Sequence, residues 1–108
     1  MPSKELIAAS TVPVILSILH QGESYGYQLI KEVAEKSKGQ LEWSEAMLYP
    51  VLQRMEANKM ISSRWVESES GKKRKYYRIT KKGMDILEEK KLEWLTLHGF
   101  LTQMWKTI

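Results

Sequence analysis

The stretch from Lys81 to Ile108, "KKGMDILEEKKLEWLTLHGFLTQMWKTI", contains no proline and no cluster of turn formers. Positions 84, 87, 91, 94, 98, 101, 105 and 108 follow one another at alternating spacings of three and four. They form a heptad seam of apolar residues broken only by Lys91 and His98. Thr80 is the expected cap. The spacing predicts one helix over roughly 81–106, about 39 Å long at 1.5 Å per residue. Leu97, Phe100 and Met104 widen the apolar stripe near its end. Such a helix must cover its stripe with its own body or with another chain, and a two-fold dimer is the simplest solution. Leu87, Trp94, Leu97, Leu101 and Trp105 are the expected dimer contacts.

The remaining residues are too few for more than one small domain. "VPVILSILH" (12–20) predicts a helix capped by Ser10 or Thr11, with Val14, Ile15, Ile18 and Leu19 inward. The preceding "KELIAAS" is either an extra turn, kinked at Pro13, or an arm. Ser24 is expected to cap a second helix from Tyr25 to about Ser37, carrying Leu29, Ile30, Val33 and Ala34 at helical spacing. The third, "WSEAMLYPVLQRMEANK", is capped by Ser44 and buries Leu48, Val51, Leu52 and Met55. Pro50 inside it frees the Ala46 carbonyl and has no evident compensation in the sequence. Residues 60–67 and 74–79 read as strands joined by the turn "SESGKK". The order is helix, helix, helix, hairpin, long helix. It predicts a mainly α winged helix-turn-helix with a β-hairpin wing over residues 1–79 and a dimerisation helix over 80–108, together one compact unit.

Charge placement narrows the function. The net charge is +4, yet residues 61–83 hold eight Lys/Arg against two acids, and the segments on either side are slightly acidic. A focused basic segment is an electrostatic footprint for phosphates. No cysteine is present, which excludes a disulfide framework and thiolate metal sites. The two histidines, His20 and His98, lie far apart in sequence, and no motif offers an activated nucleophile, metal ligands or a phosphate-cradling glycine loop. Neither catalysis nor a cofactor is expected. The longest apolar run is broken by Pro13 and Ser17 and is too short to span a bilayer. No small-residue cleavage site follows His20, so the expectation is a cytoplasmic protein. The wing is read as lacking exposed apolar residues, which argues against membrane insertion. A protein-binding winged helix is the competing class.

Within this frame Lys72, Lys73, Arg74 and Lys75 fall at or near the wing tip and are the expected phosphate contacts. Sequence readout is assigned to the third helix, through Ser44 and Glu45 at its start and Tyr49 and Gln53 on its exposed face.

The blocks "ESYGYQLIKEV", "EAMLYPVLQRMEANKMIS" and "GKKRKYYRITKKG" resemble, in this order, the PadR transcriptional regulators, over about residues 12–83. The resemblance implies a homodimeric repressor of double-stranded operator DNA. Its last helix forms much of the interface, and Tyr49 and the wing basics contact the operator. The family commonly has Thr where this chain has Met47. Trp94 lies eleven residues after Gly83, which is similar to the short, multidrug-responsive lactococcal branch. That likeness implies a planar aromatic or cationic ligand held between paired Trp94 side chains, with His98 one turn beyond. The alternatives are an ordinary interface anchor at Trp94 and a regulator with no small-molecule effector.

Overall fold

The computed structural model describes residues 2–108. Helix α1 spans Lys4–His20, strand β1 Ser24–Tyr25, α2 Gly26–Lys36 and α3 Glu45–Ala57. Strands β2, Ile61–Glu67, and β3, Lys73–Ile79, precede α4, Lys81–Trp105. This is the winged helix-turn-helix with a long C-terminal helix that the order of segments predicted.

Three local expectations are corrected. The first helix is capped by Ser3, whose hydroxyl accepts from the Leu6 amide at 3.2 Å, and it runs unbroken through Pro13. Ser10 and Thr11 donate instead to the Ile7 carbonyl, at 3.0 and 2.7 Å. The same logic accounts for Pro50. Ala9 and Ala46, the residues whose carbonyls the two prolines cannot pair, are both exposed. Second, Ser24 caps nothing. It lies in β1, is buried, and donates to the Gln28 side chain at 3.0 Å. Two residues are too short to show a strand period, and their pairing with β3, Ser24 opposite Tyr77 and Tyr25 opposite Tyr76, is a long-range contact. The sheet order is therefore β1-β3-β2, all antiparallel. Third, Leu87 is not left for a partner. It is 5% exposed, inside the chain's own core.

That core joins Ile15, Leu16 and Leu19 of α1 to Leu29 and Val33 of α2 and to Leu48, Leu52 and Met55 of α3, closed by Ile61, Tyr77 and Leu87. Trp43, just ahead of the Ser44 cap, joins it with its indole N–H unpaired. Ser44 caps α3 as predicted, accepting from the Met47 amide at 3.1 Å. Thr80 caps α4, accepting from the Gly83 amide at 3.0 Å while its hydroxyl donates to the Lys59 carbonyl at 2.6 Å, with the Met60 carbonyl 3.0 Å away. Gly83 is required here. A Cβ would sit 2.8 Å from Ile79 Cγ1 and closer still to the Met60 carbonyl oxygen. The first turn of α4 is thus pressed onto the hairpin base.

Beyond Leu87 the helix loses most of its cover, and every residue from Lys91 to Phe100 is exposed. The radius of gyration is 15.7 Å, against about 13 Å for a compact chain of this length. Among the described residues, eight of the thirteen exposed large hydrophobics lie at or after Leu92. The apolar cover that α4 needs is not supplied by its own chain.

Candidate nucleic-acid interface

The recognition surface begins with the cap. Ser44 starts α3 so that Glu45, Tyr49 and Gln53, each four residues from the next, share one exposed stripe. Leu48, Leu52 and Met55 bury the opposite stripe. Met47 is half-buried and packs toward the core rather than outward. Tyr49 is 40% exposed, but its ring is seated. Its Cζ and Cε1 lie 2.7 and 2.9 Å from where a Cβ on Gly26 would stand. The first residue of α2 is a glycine, and the Tyr49 ring occupies the space that a side chain there would fill.

The wing is built by a seven-pair register from Ile61 opposite Ile79 to Glu67 opposite Lys73. Its turn closes through the Ser68 amide to the Lys72 carbonyl at 2.8 Å and through Gly71 at φ 81°, a conformation suited to glycine. Strand alternation divides the basic run between two faces. Lys73 and Lys75 share a face with Trp65 and Tyr77. Arg64, Arg74 and Arg78 lie on the other with Tyr25 and Tyr76.

Each basic side chain has its own situation. Lys75 pairs with Glu56 of α3 at 3.4 Å and stands 5.7 Å from the centre of the Tyr77 ring. Glu56 also accepts from the Ser63 hydroxyl, so one carboxylate of α3 holds both strands of the wing. Arg74 lies over the Tyr25 ring at 4.6 Å and donates to its hydroxyl at 3.0 Å, and Tyr25 meets Tyr76 edge-on at 5.1 Å. Arg64 forms a two-pronged pair with Glu23. That hydrogen bond lowers the Glu23 carboxyl pKa and raises that of the guanidinium. Burial pushes the Tyr77 phenol above its ordinary value, with Glu56 and Tyr49 adding to the shift. Lys72 and Lys73 have no ion-pair partner among the described residues.

Between α3 and the wing runs a cleft of about 660 Å³ that brings Glu45, Tyr49 and Gln53 together with Lys72, Lys73, Arg74 and Lys75. Of the expected DNA-facing residues, only Ser44 is absent from its lining. Five lining residues had no place among the expected DNA contacts: Tyr25, Gly26, Tyr27, Trp65 and Tyr77. The alternation that set Tyr77 inward places Trp65 on the same face, because Trp65 pairs with Lys75 one step further out. The wing is therefore not free of exposed apolar surface, since Trp65 is 66% exposed.

The residues expected to hold a ligand, Trp94 and His98, stand one turn apart on α4. Trp94 lines an apolar groove of about 630 Å³ against Leu6, Pro13 and Val14 of α1 and Val33 of α2, and His98 does not line it. Leu97 and Trp105 are exposed, and Leu101 is half-buried. Among the described residues no helix is long and apolar enough to cross a membrane.

A capped helix with a polar outer stripe, facing a basic hairpin across a cleft, defines a winged helix-turn-helix DNA-binding protein. Residues 15–89 match the transcriptional regulator PadR-like family, and the chain belongs to it. That family is one of DNA-binding regulators, not enzymes. A transcriptional regulator from Clostridium thermocellum has the same fold, with a TM-score of 0.87 and 31% identity over 95% of this chain and 97% of its own. A PadR-like regulator from Bacillus cereus gives 0.81, with 34% identity over 94% and 96%. The transcriptional regulator YqjI of Escherichia coli is 37% identical over 76 residues, and this chain spans 35% of its length.

Proposed function

We propose that the chain is a homodimeric, cytoplasmic transcriptional repressor that sets α3 in the major groove and the wing on the adjoining backbone. The observation that carries this is the shared cleft, where the exposed stripe of α3 and the basic wing face one space. Tyr49 and Gln53 are the reading residues, with Ser44 and Glu45 at the helix start. Lys72 and Lys73 are the freest phosphate contacts, and Arg74 and Lys75 reach the same backbone from partnered positions. Dimerisation uses Trp94, Leu97, Leu101 and Trp105, which supports two recognition helices about 34 Å apart on one face of the duplex.

The test is Tyr49→Ala on a duplex selected from a random library by the wild-type protein. Loss of one hydrogen bond that leaves a buried base-edge group unpaired costs about 1.5 kcal/mol, roughly tenfold per half-site. Two half-sites give about a hundredfold. Unchanged affinity would remove Tyr49 from the reading set.

Release by a planar aromatic or cationic ligand at Trp94 and His98 is the regulatory part of the proposal. Its support is the apolar groove that Trp94 lines beside the helix expected to form the interface.

A further inference from the structure

Single exposed apolar side chains are ordinary on a protein surface, so the exposure of Trp65 alone says little. Its setting says more. The residue sits within a strand, not in the turn, so paired backbone on β3 fixes it. It lines the same cleft as Tyr27, Tyr49 and Gln53. The Lys75 ammonium stands 6.0 Å from its ring centre, and Lys73 is the next residue on that face. Its indole N–H makes no hydrogen bond among the described residues.

We propose that Trp65 seats the deoxyribose of the strand that passes between the major groove, held by α3, and the minor groove beside the wing tip. The sugar's C–H face lies on the indole plane, the indole N–H is free to donate to a phosphate oxygen, and Lys73 supplies a flanking charge. The position favours a sugar over a base step. Trp65 lies part-way down β2, below the turn at residues 68–72, and faces α3 across the cleft. A wedge that opens base steps would belong at the tip. The contact is blind to sequence and largely non-ionic, so it complements the lysines and adds nothing to the counterion term. This inference rests on the α3–wing cleft being the DNA-facing surface.

The experiment measures binding of wild type, Trp65→Ala, Trp65→Phe, Tyr49→Ala and a Lys72→Ser/Lys73→Ser double variant. Each is titrated across a salt series with a random-sequence duplex and with the duplex selected by the wild type. Circular dichroism and thermal midpoints confirm that each variant folds, and Trp65 is not among the core residues. Trp65→Ala is expected to weaken both duplexes about tenfold per wing, about a hundredfold for the dimer, within the range for removing an aromatic nucleic-acid contact. Its salt slope should match wild type, and Trp65→Phe should recover most of the loss. Unchanged affinity in Trp65→Ala, with Tyr49→Ala still defective, overturns the seat and leaves the cleft assignment standing. A wild-type DNA bend abolished in Trp65→Ala also overturns it, in favour of base-step insertion. If Tyr49→Ala and the double lysine variant bind like wild type as well, the cleft assignment fails and the seat fails with it.

Discussion

Substituting Gly26 by alanine tests how Tyr49, the proposed reading residue, is held. An alanine Cβ would stand 2.7 Å from Tyr49 Cζ and closer to its hydroxyl oxygen. Comfortable contact between such atoms begins near 3.5 Å, so the ring must retreat by about 1 Å. It can do so without great cost, because the clashing atoms are the far end of a side chain that is 40% exposed. The backbone gains from the change. Alanine is favoured over glycine by up to about 1 kcal/mol inside a helix, and less in a first turn. The two effects nearly cancel, and Gly26→Ala should leave stability within about 1 kcal/mol of wild type in urea denaturation. Binding should not be spared. A hydroxyl moved by about 1 Å from a bond normally near 2.8 Å no longer makes it well. Gly26→Ala should therefore lose operator affinity nearly as far as Tyr49→Ala, and the double variant should be no weaker than Tyr49→Ala alone. Strict additivity in that cycle, or wild-type binding by Gly26→Ala, would refute the idea that the glycine positions the tyrosine.

Gly83→Ala should behave in the opposite way, because its Cβ meets the Met60 backbone carbonyl and Ile79, neither of which can swing aside. The expected cost is about 2 kcal/mol, seen as a thermal midpoint lower by roughly 10 °C. Replacing Lys72 and Lys73 together by serine should reduce the slope of log affinity against log salt by about 1.8 per wing, on specific and random DNA alike. Lys75→Ser should move the slope less, since the lysine is already paired with Glu56. Tyr77 carries a phenol whose pKa burial raises in the folded state. The unfolded chain thus releases that proton first, and stability should fall as pH rises past the free-tyrosine value near 10. In Tyr77→Phe that alkaline decline should be shallower, as followed by denaturation at successive pH values.

The sequence made the α3 stripe and the wing legible for the same reason. Both are local, a cap followed by a 3.6-residue period and a turn between two alternating strands. What it hid depends on contacts distant in the chain. Ser24 and Tyr25 pair with residues 76 and 77, and no two-residue stretch announces that. Leu87 sits on the heptad seam like its neighbours, and only the packing of the first turns of α4 assigns it to the chain's own core. The basic run looked like one feature in the sequence. Register divides it, sending Lys75 to Glu56 and Arg74 to Tyr25. Trp65 stands on the face that buries Tyr77 because the same alternation continues outward from the core end of the hairpin.

The split of α4 into two halves bears on how such a protein could be regulated. Gly83 and Leu87 lock its first turns to the winged head, while the part from Lys91 to Phe100 is exposed and apolar on several sides. Leu92, Leu95, Leu97 and Phe100 occur within nine residues and do not share one stripe. A single partner helix covers only one stripe, so cover on the dimeric reading must come from more than one element. The groove beside Trp94 on α1 and α2 offers an apolar surface of that kind. No proline or glycine interrupts α4 between Met84 and His98, so this stretch moves as a rigid lever. Over these fifteen residues, about 22 Å, a tilt of about 10° displaces the far end by about 4 Å, roughly one base-pair step. A modest rearrangement at Trp94 is enough to take two heads out of register with successive major grooves, provided that whatever binds there prefers the rearranged state.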